Sequence, residues 1–134
     1  FGYLGIINSL KIFKKNYKNI KIFKNIIYSD FINILKNSEF LIGNSSSGII
    51  ESAYLNLPVI NLGDRQKNRL KPSNVFNSRF RNNEIKRIIK LLSRKKLKKP
   101  ELLYGSGNSY KKTYVEILKI LKSKKNTYKN FHEI

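Results

Sequence analysis

Apolar residues fall at positions 3, 4, 6, 7, 10, 12, 13 and 17 of the first segment, and much of that pattern fits one helix face. Ile20-Lys-Ile-Phe23 is short and rich in strand formers, and predicts a strand. Ser29 is placed to cap a helix from Asp30 to about Lys36, with Asp30 in its favourable first turn. Phe40-Leu-Ile42 is a continuous apolar run that stops at Gly43, as a strand buried on both faces would. Ser46 or Ser47 then opens a helix from Gly48 to about Leu55, and Pro58 to Leu62 reads as another short buried strand. Val75-Phe76 predicts a small third strand of this stretch. Apolar positions 85, 88, 89, 91 and 92 predict a helix over 84–92. The basic stretch RKKLKKP and a Gly105-Ser-Gly107 turn precede a last helix, from about Asn108 to Lys122. A polar tail over 123–134 follows.

Short apolar strands alternating with helices argue for an α/β fold, a parallel Rossmann-like sheet with helices on both faces. About four strands are expected, fewer than an ordinary doubly wound domain holds. The chain has 134 residues, no Cys and no Met, and opens on Phe1. A single domain over 1–122 with its tail is the expectation, and the missing Met reads as a piece cut from a longer protein. Without Cys there is neither a disulfide framework nor a thiolate zinc site. No apolar stretch approaches the ~18–20 residues of a membrane span, and a reducing cytoplasm is the expected location. The 28 Lys and Arg against 8 acids give a formal charge of +20. Lys, Asn and Ile dominate, and codons rich in A and T are sufficient to explain much of that charge. The functional reading is attraction to nucleic acid, an anionic membrane or a phosphorylated ligand. The aromatic residues do not repeat in a stacking motif, so nucleic acid is not the expected partner.

Residues 40–70, FLIGNSSSGIIESAYLNLPVINLGDRQKNRL, stand apart from the rest. Asn44-Ser45-Ser46-Ser47 lies between Gly43 and Gly48, at the carboxyl end of a strand, where open α/β sheets bind ligands. Free N–H groups at a helix start favour phosphate, and serine hydroxyls add donors without bulk. An ordinary loop with a serine cap accounts for the pattern equally well. Glu51 follows closely, where it can cap the helix or accept hydrogen bonds from ribose hydroxyls. Gly63-Asp64-Arg65-Gln66 follows the next strand on the same edge. Arg65 can fork onto phosphates with Asp64 orienting it, or the pair can be a surface turn with an ion pair. Together, two adjacent loops supply hydroxyls, a carboxylate and a guanidinium, which is what a nucleoside diphosphate needs.

GNSSSGIIE, a strand, then GDRQKNRLKPSNV resembles the C-terminal domain of the UDP-N-acetylglucosamine 2-epimerases, most of all their hydrolysing, sialic-acid-pathway branch. The likeness is strong from about Asn25 to Val75, and returns at Tyr104-Gly-Ser-Gly-Asn108. It implies part of a two-domain fold of the glycosyltransferase B type, with a UDP-sugar in the cleft. Carried over by position, Ser45 and Ser46 bind the diphosphate, Glu51 the ribose, and Arg65 the phosphate or ribose region. Ile26 is a looser match for a backbone contact to uracil. Arg69 sits where the family has a basic residue, but Asn68 replaces the usual Gly, which leaves the local backbone shape open.

The resemblance also implies the chemistry: proton removal at the sugar C2, anti elimination of UDP, and, in the hydrolysing branch, addition of water to release N-acetylmannosamine. That needs an acid and a base near the sugar. Glu51 and Asp64 both have binding roles, His132 lies in the tail, and the family's acid and base residues lie mostly in its other domain. No catalytic residue, metal or cofactor is therefore assigned to this chain. Its expected ligand is UDP-N-acetylglucosamine or UDP, with no membrane partner and a homo-oligomer as the intact form. A related nucleotide-sugar glycosyltransferase and a basic nucleic-acid-binding module are the alternatives.

Overall fold

The computed structural model describes residues 3–94 and 101–123, and the chain divides into two units, Phe1–Ser38 and Glu39–Ile134. Most of the RKKLKKP stretch and nearly all of the expected tail, His132 included, lie outside the described residues.

The first unit holds α1 (Tyr3–Asn16) and α2 (Tyr28–Lys36). Helix α1 runs where the apolar spacing places it, and Phe13 stacks on Tyr17 with ring centroids 5.8 Å apart. Two local expectations are corrected. The expected strand over 20–23 is irregular backbone instead. A strand needs a neighbour for its N–H and C=O groups, and Ile20–Phe23 has no strand partner among the described residues. Ser29 is not a cap either: α2 begins earlier, with Ile27 as N-cap and the Phe31 N–H bonded to the Ile27 carbonyl at 2.9 Å. Asp30 does sit in the first turn, as expected.

The second unit is built on a three-stranded parallel sheet in the order β1 (Leu41–Gly43), β2 (Val59–Leu62), β3 (Val75–Ser78). Leu41 pairs with Val59 and Val59 with Val75, so the three strands start level. This bears out the parallel α/β reading. β2 is central, and Val59, Ile60 and Asn61 are each at most 2% exposed. Ile49, Ala53, Leu57 and Ile88 complete the apolar core of this unit.

The connection from β1 to β2 differs from the single helix expected over 48–55. A 3₁₀ turn spans Ser46–Gly48, and α3 (Glu51–Leu55) begins only after it. The Ser46 carbonyl accepts from both Ile49 N–H, at 2.8 Å, and Ile50 N–H, at 2.9 Å, which is the switch from i+3 to i+4 bonding. The tight turn brings Gly48 against β2: a Cβ there would stand 3.0 Å from Val59 Cγ1. Helix α3 ends on Asn56 in the left-handed conformation, φ 52°.

Asn74 secures this crossover to the next strand. Its buried Nδ2 donates to the Ser52 carbonyl at 3.1 Å and to the Leu57 carbonyl, while its own carbonyl accepts from Val59 N–H at 2.9 Å. After β3, α4 (Asn82–Leu92) begins, and Glu84 in its first turn reaches back. Its Oε2 accepts from the Arg79 N–H at 2.9 Å and the Ser78 hydroxyl at 3.2 Å. The last helix, α5 (Ser109–Lys122), follows a stretch tied to the 70–73 loop. There the Tyr104 hydroxyl donates to the Leu70 carbonyl at 2.6 Å, and Glu101 Oε1 accepts from Ser73 N–H at 3.3 Å.

Ile60 is fully buried in the central strand, so Ile60→Ala is expected to lower unfolding stability by about 2–5 kcal/mol in urea titrations. The hydrogen bond from the Arg79 N–H, with help from Ser78 and Arg81, lowers the Glu84 pKa below its ordinary value. A depressed carboxylate adds stability that is complete above the free-glutamate pKa of about 4.3 and is lost as pH falls through the lowered folded value. Thermal unfolding between pH 2 and 6 should therefore show a smaller acid-side loss in Glu84→Gln than in the wild type.

Candidate functional site

β1 and β2 are neighbours in register, Gly43 beside Asn61, so the segments that follow them leave the same edge of the sheet. The first is the serine loop. Ser45 is extended (φ −74°, ψ 152°) and caps the 3₁₀ turn, its Oγ accepting from the Ser47 N–H at 3.4 Å. Its hydroxyl also lies 3.1 Å from the Ser47 hydroxyl. Ser45 is exposed and Ser46 half-buried, so both hydroxyl-bearing residues are at the surface of this edge.

Glu51 is the first residue of α3, half-buried, and its Oε2 is enclosed with no hydrogen-bond partner. An enclosed acceptor without a donor costs about 1–3 kcal/mol, more when charged. Simple helix capping would leave the carboxylate accepting from the backbone at the helix start, and its Oε2 makes no such bond.

The second loop starts at Gly63, whose left-handed φ of 69° suits glycine. A Cβ there would also meet Phe80 Cε2 at 2.8 Å. Asp64 opens a turn in which its carbonyl accepts from Lys67 N–H at 2.9 Å. Arg65 is exposed and forms no ion pair with Asp64. The guanidinium is thus free to meet an anion, and the alternative of a surface turn held by an Asp64–Arg65 ion pair is not met. Asn68 keeps a negative φ, the one non-glycine residue with positive φ among those described being Asn56. The loop therefore has no conformational need for the glycine usual at that point.

Gln66 is the residue that sequence reasoning passed over. It is 4% exposed, and its Nε2 donates to the Asn44 carbonyl at 3.0 Å. The second loop is thereby fastened to the root of the serine loop. Its Oε1 is enclosed and has no partner. The available signal was a carboxamide four residues past the end of β2, between Arg65 and Lys67.

At the ends of β2 and β3 lies a cleft of about 300 Å³ whose lining includes Asn61 and Asn77. Asn61 Nδ2 donates to Asn77 Oδ1 at 2.9 Å. Lys67, Lys71 and Arg79 line the cleft together with Asp64 and Glu84, so its charge is mixed. Lys71 is held by the Lys67 carbonyl at 2.8 Å.

Four of the five expected ligand residues, Ser45, Ser46, Glu51 and Arg65, thus lie on segments that follow two adjacent strands. Ile26 does not belong to that sheet unit: it lies in the irregular stretch of the first unit, 38% exposed. Among the described residues no group of three His, Cys, Asp or Glu side chains could hold a metal ion, and no helix is long and apolar enough to cross a membrane.

A family model described as UDP-N-acetylglucosamine 2-epimerase matches residues 6–121. The polysialic acid biosynthesis protein P7 of Escherichia coli is 36% identical over 135 residues, covering 96% of this chain and 34% of that protein. The GDP/UDP-N,N'-diacetylbacillosamine 2-epimerase (hydrolyzing) of Campylobacter jejuni is 38% identical over 85 residues, 63% of this chain and 22% of its own length. The UDP-N,N'-diacetylbacillosamine 2-epimerase (hydrolyzing) of Legionella pneumophila is 34% identical over 110 residues, 79% of this chain and 28% of its own length. The chain spans about a third or less of the length of these relatives.

Proposed function

This chain belongs to the UDP-N-acetylglucosamine 2-epimerase family, and from that premise we propose that its serine-loop edge grips the UDP of a UDP-linked N-acyl amino sugar. The observation that carries the reading is Glu51: an enclosed carboxylate oxygen without a donor, just past a serine loop at a strand's carboxyl end. A ribose hydroxyl donates to the other oxygen of this half-buried carboxylate, Oε1, which is not enclosed. Ser45 and Ser46 hold the diphosphate with their hydroxyls and the N-terminal amides of the turn, and Arg65 adds a guanidinium from the neighbouring loop.

In the intact protein this grip serves the hydrolysing reaction, a homo-oligomer being the working form. A base takes the proton from the sugar C2, the C1–O bond breaks, and UDP leaves with that electron pair. Water then adds across the resulting C1=C2 bond, its hydroxyl to C1 and a proton to C2 from the opposite face. The 2-epimer of the free sugar results, together with UDP. This chain's residues bind and orient the leaving group. The carboxylates on this edge, Glu51 and Asp64, are assigned to ligand binding and loop structure, and no proton-transfer role is proposed for them.

Calorimetric titration with UDP tests the grip. Glu51→Ala should weaken UDP binding about 10-fold or more, as expected for loss of a hydrogen bond to a charged group. A basic nucleic-acid module would behave differently: its RNA binding would fall steeply with salt and be unchanged or slightly stronger in Glu51→Ala. UDP affinity equal in wild type and Glu51→Ala overturns the proposal. Incubation of the chain alone with UDP-N-acetylglucosamine should release no UDP.

A further inference from the structure

Gln66 stands between the two loops of the proposed UDP site and has no role in the reading so far. Gln66 is buried, and the orientation of its carboxamide is fixed chemically. The Asn44 carbonyl can only accept, so the nitrogen must face it and the oxygen must face away. That oxygen finds no donor. A buried carboxamide satisfied at only one end is a poor choice for stability, since an apolar side chain of the same length would leave no orphan acceptor. What the arrangement does provide is a link across the edge: Arg65 is its chain neighbour on one side, and Asn44 immediately precedes Ser45 on the other.

We infer that Gln66 is a positioning residue that couples the guanidinium loop to the serine loop, so that the two close on one diphosphate as a unit. The inference rests on the UDP reading above for its ligand, and on the Gln66–Asn44 hydrogen bond for its mechanism. Without the bond, Ser45 loses the fixed carbonyl that anchors the preceding residue. The turn that follows, held by Gly48 N–H to the Ser45 carbonyl at 3.1 Å and by the Ser46 carbonyl, is then free to open. Arg65 keeps its charge but no longer meets hydroxyls at a set place.

Two variants and two readouts test this on the 134-residue chain. Gln66→Met keeps the length and removes the donor; Gln66→Glu keeps the shape and sets an acceptor against the Asn44 carbonyl. Amide hydrogen exchange without ligand reads the clamp alone. Both variants should exchange about 10-fold faster at Gly48, Ile49 and Ile50, with β2 amides unchanged. UDP affinity reads the coupling. Both variants should bind UDP about 10-fold more weakly, and Arg65→Ala, costly in the wild type, should change affinity less than about two-fold on top of Gln66→Met. Unchanged exchange at Gly48–Ile50 overturns the clamp, and faster exchange throughout β2 overturns it in favour of a general folding role. Full additivity of Arg65→Ala and Gln66→Met overturns the coupling. If the wild type fails to bind UDP, the UDP reading falls, and the exchange comparison still decides whether Gln66 holds the loop.

Discussion

The second unit depends on the burial of β2. Three consecutive residues, Val59, Ile60 and Asn61, are withdrawn from water on both faces and paired along both edges. A strand in that position must satisfy its backbone through its neighbours, because water is not available to it. β1 and β3 are therefore obliged to run beside it in register. The segments that leave their carboxyl ends are brought to one edge as a consequence. The candidate site is a by-product of that alignment: no loop has to travel to meet another.

Polar side chains at the ends of the strands then shape the edge. Asn74 holds the α3 crossover to the start of β3, Glu84 holds the exit from β3, and Gln66 spans the two loops where the ligand is proposed to sit. The first two are satisfied inside the protein. Gln66 and Glu51 each keep an enclosed oxygen without a donor. In a small unit such unsatisfied acceptors are expensive, and both fall on the segments that carry the serine hydroxyls and the guanidinium. On the proposed reading, stability and ligand capture use different residues on the same scaffold.

Much of this was legible in the chain. The apolar runs at 40–42 and 58–62, each ended by a break in pattern, marked β1 and β2, and the 3.6-residue spacing marked α1 and α4. The GNSSSGIIE and GDRQ segments marked the edge. Ile20–Phe23 misled because strand-forming residues do not make a strand without a partner, which only tertiary structure supplies. The single helix expected over 48–55 is instead a 3₁₀ turn followed by a short α-helix, a difference in hydrogen-bond register that spacing over so few residues does not reveal. Gln66 was invisible for a related reason: its partner is a backbone carbonyl 22 residues away, and a backbone carbonyl carries no residue-type signal.

The central claim is that one edge of the β1–β2 pair binds UDP through both of its loops. Titration of the ¹⁵N-labelled chain with UDP, followed by amide chemical shifts, tests it most directly. The account predicts saturable shifts concentrated in residues 43–51 and 63–66, with the rest of the sheet unmoved. Shifts absent from the serine loop, or confined to Lys71, Ser78 and Arg79 around the β2–β3 cleft, would contradict it.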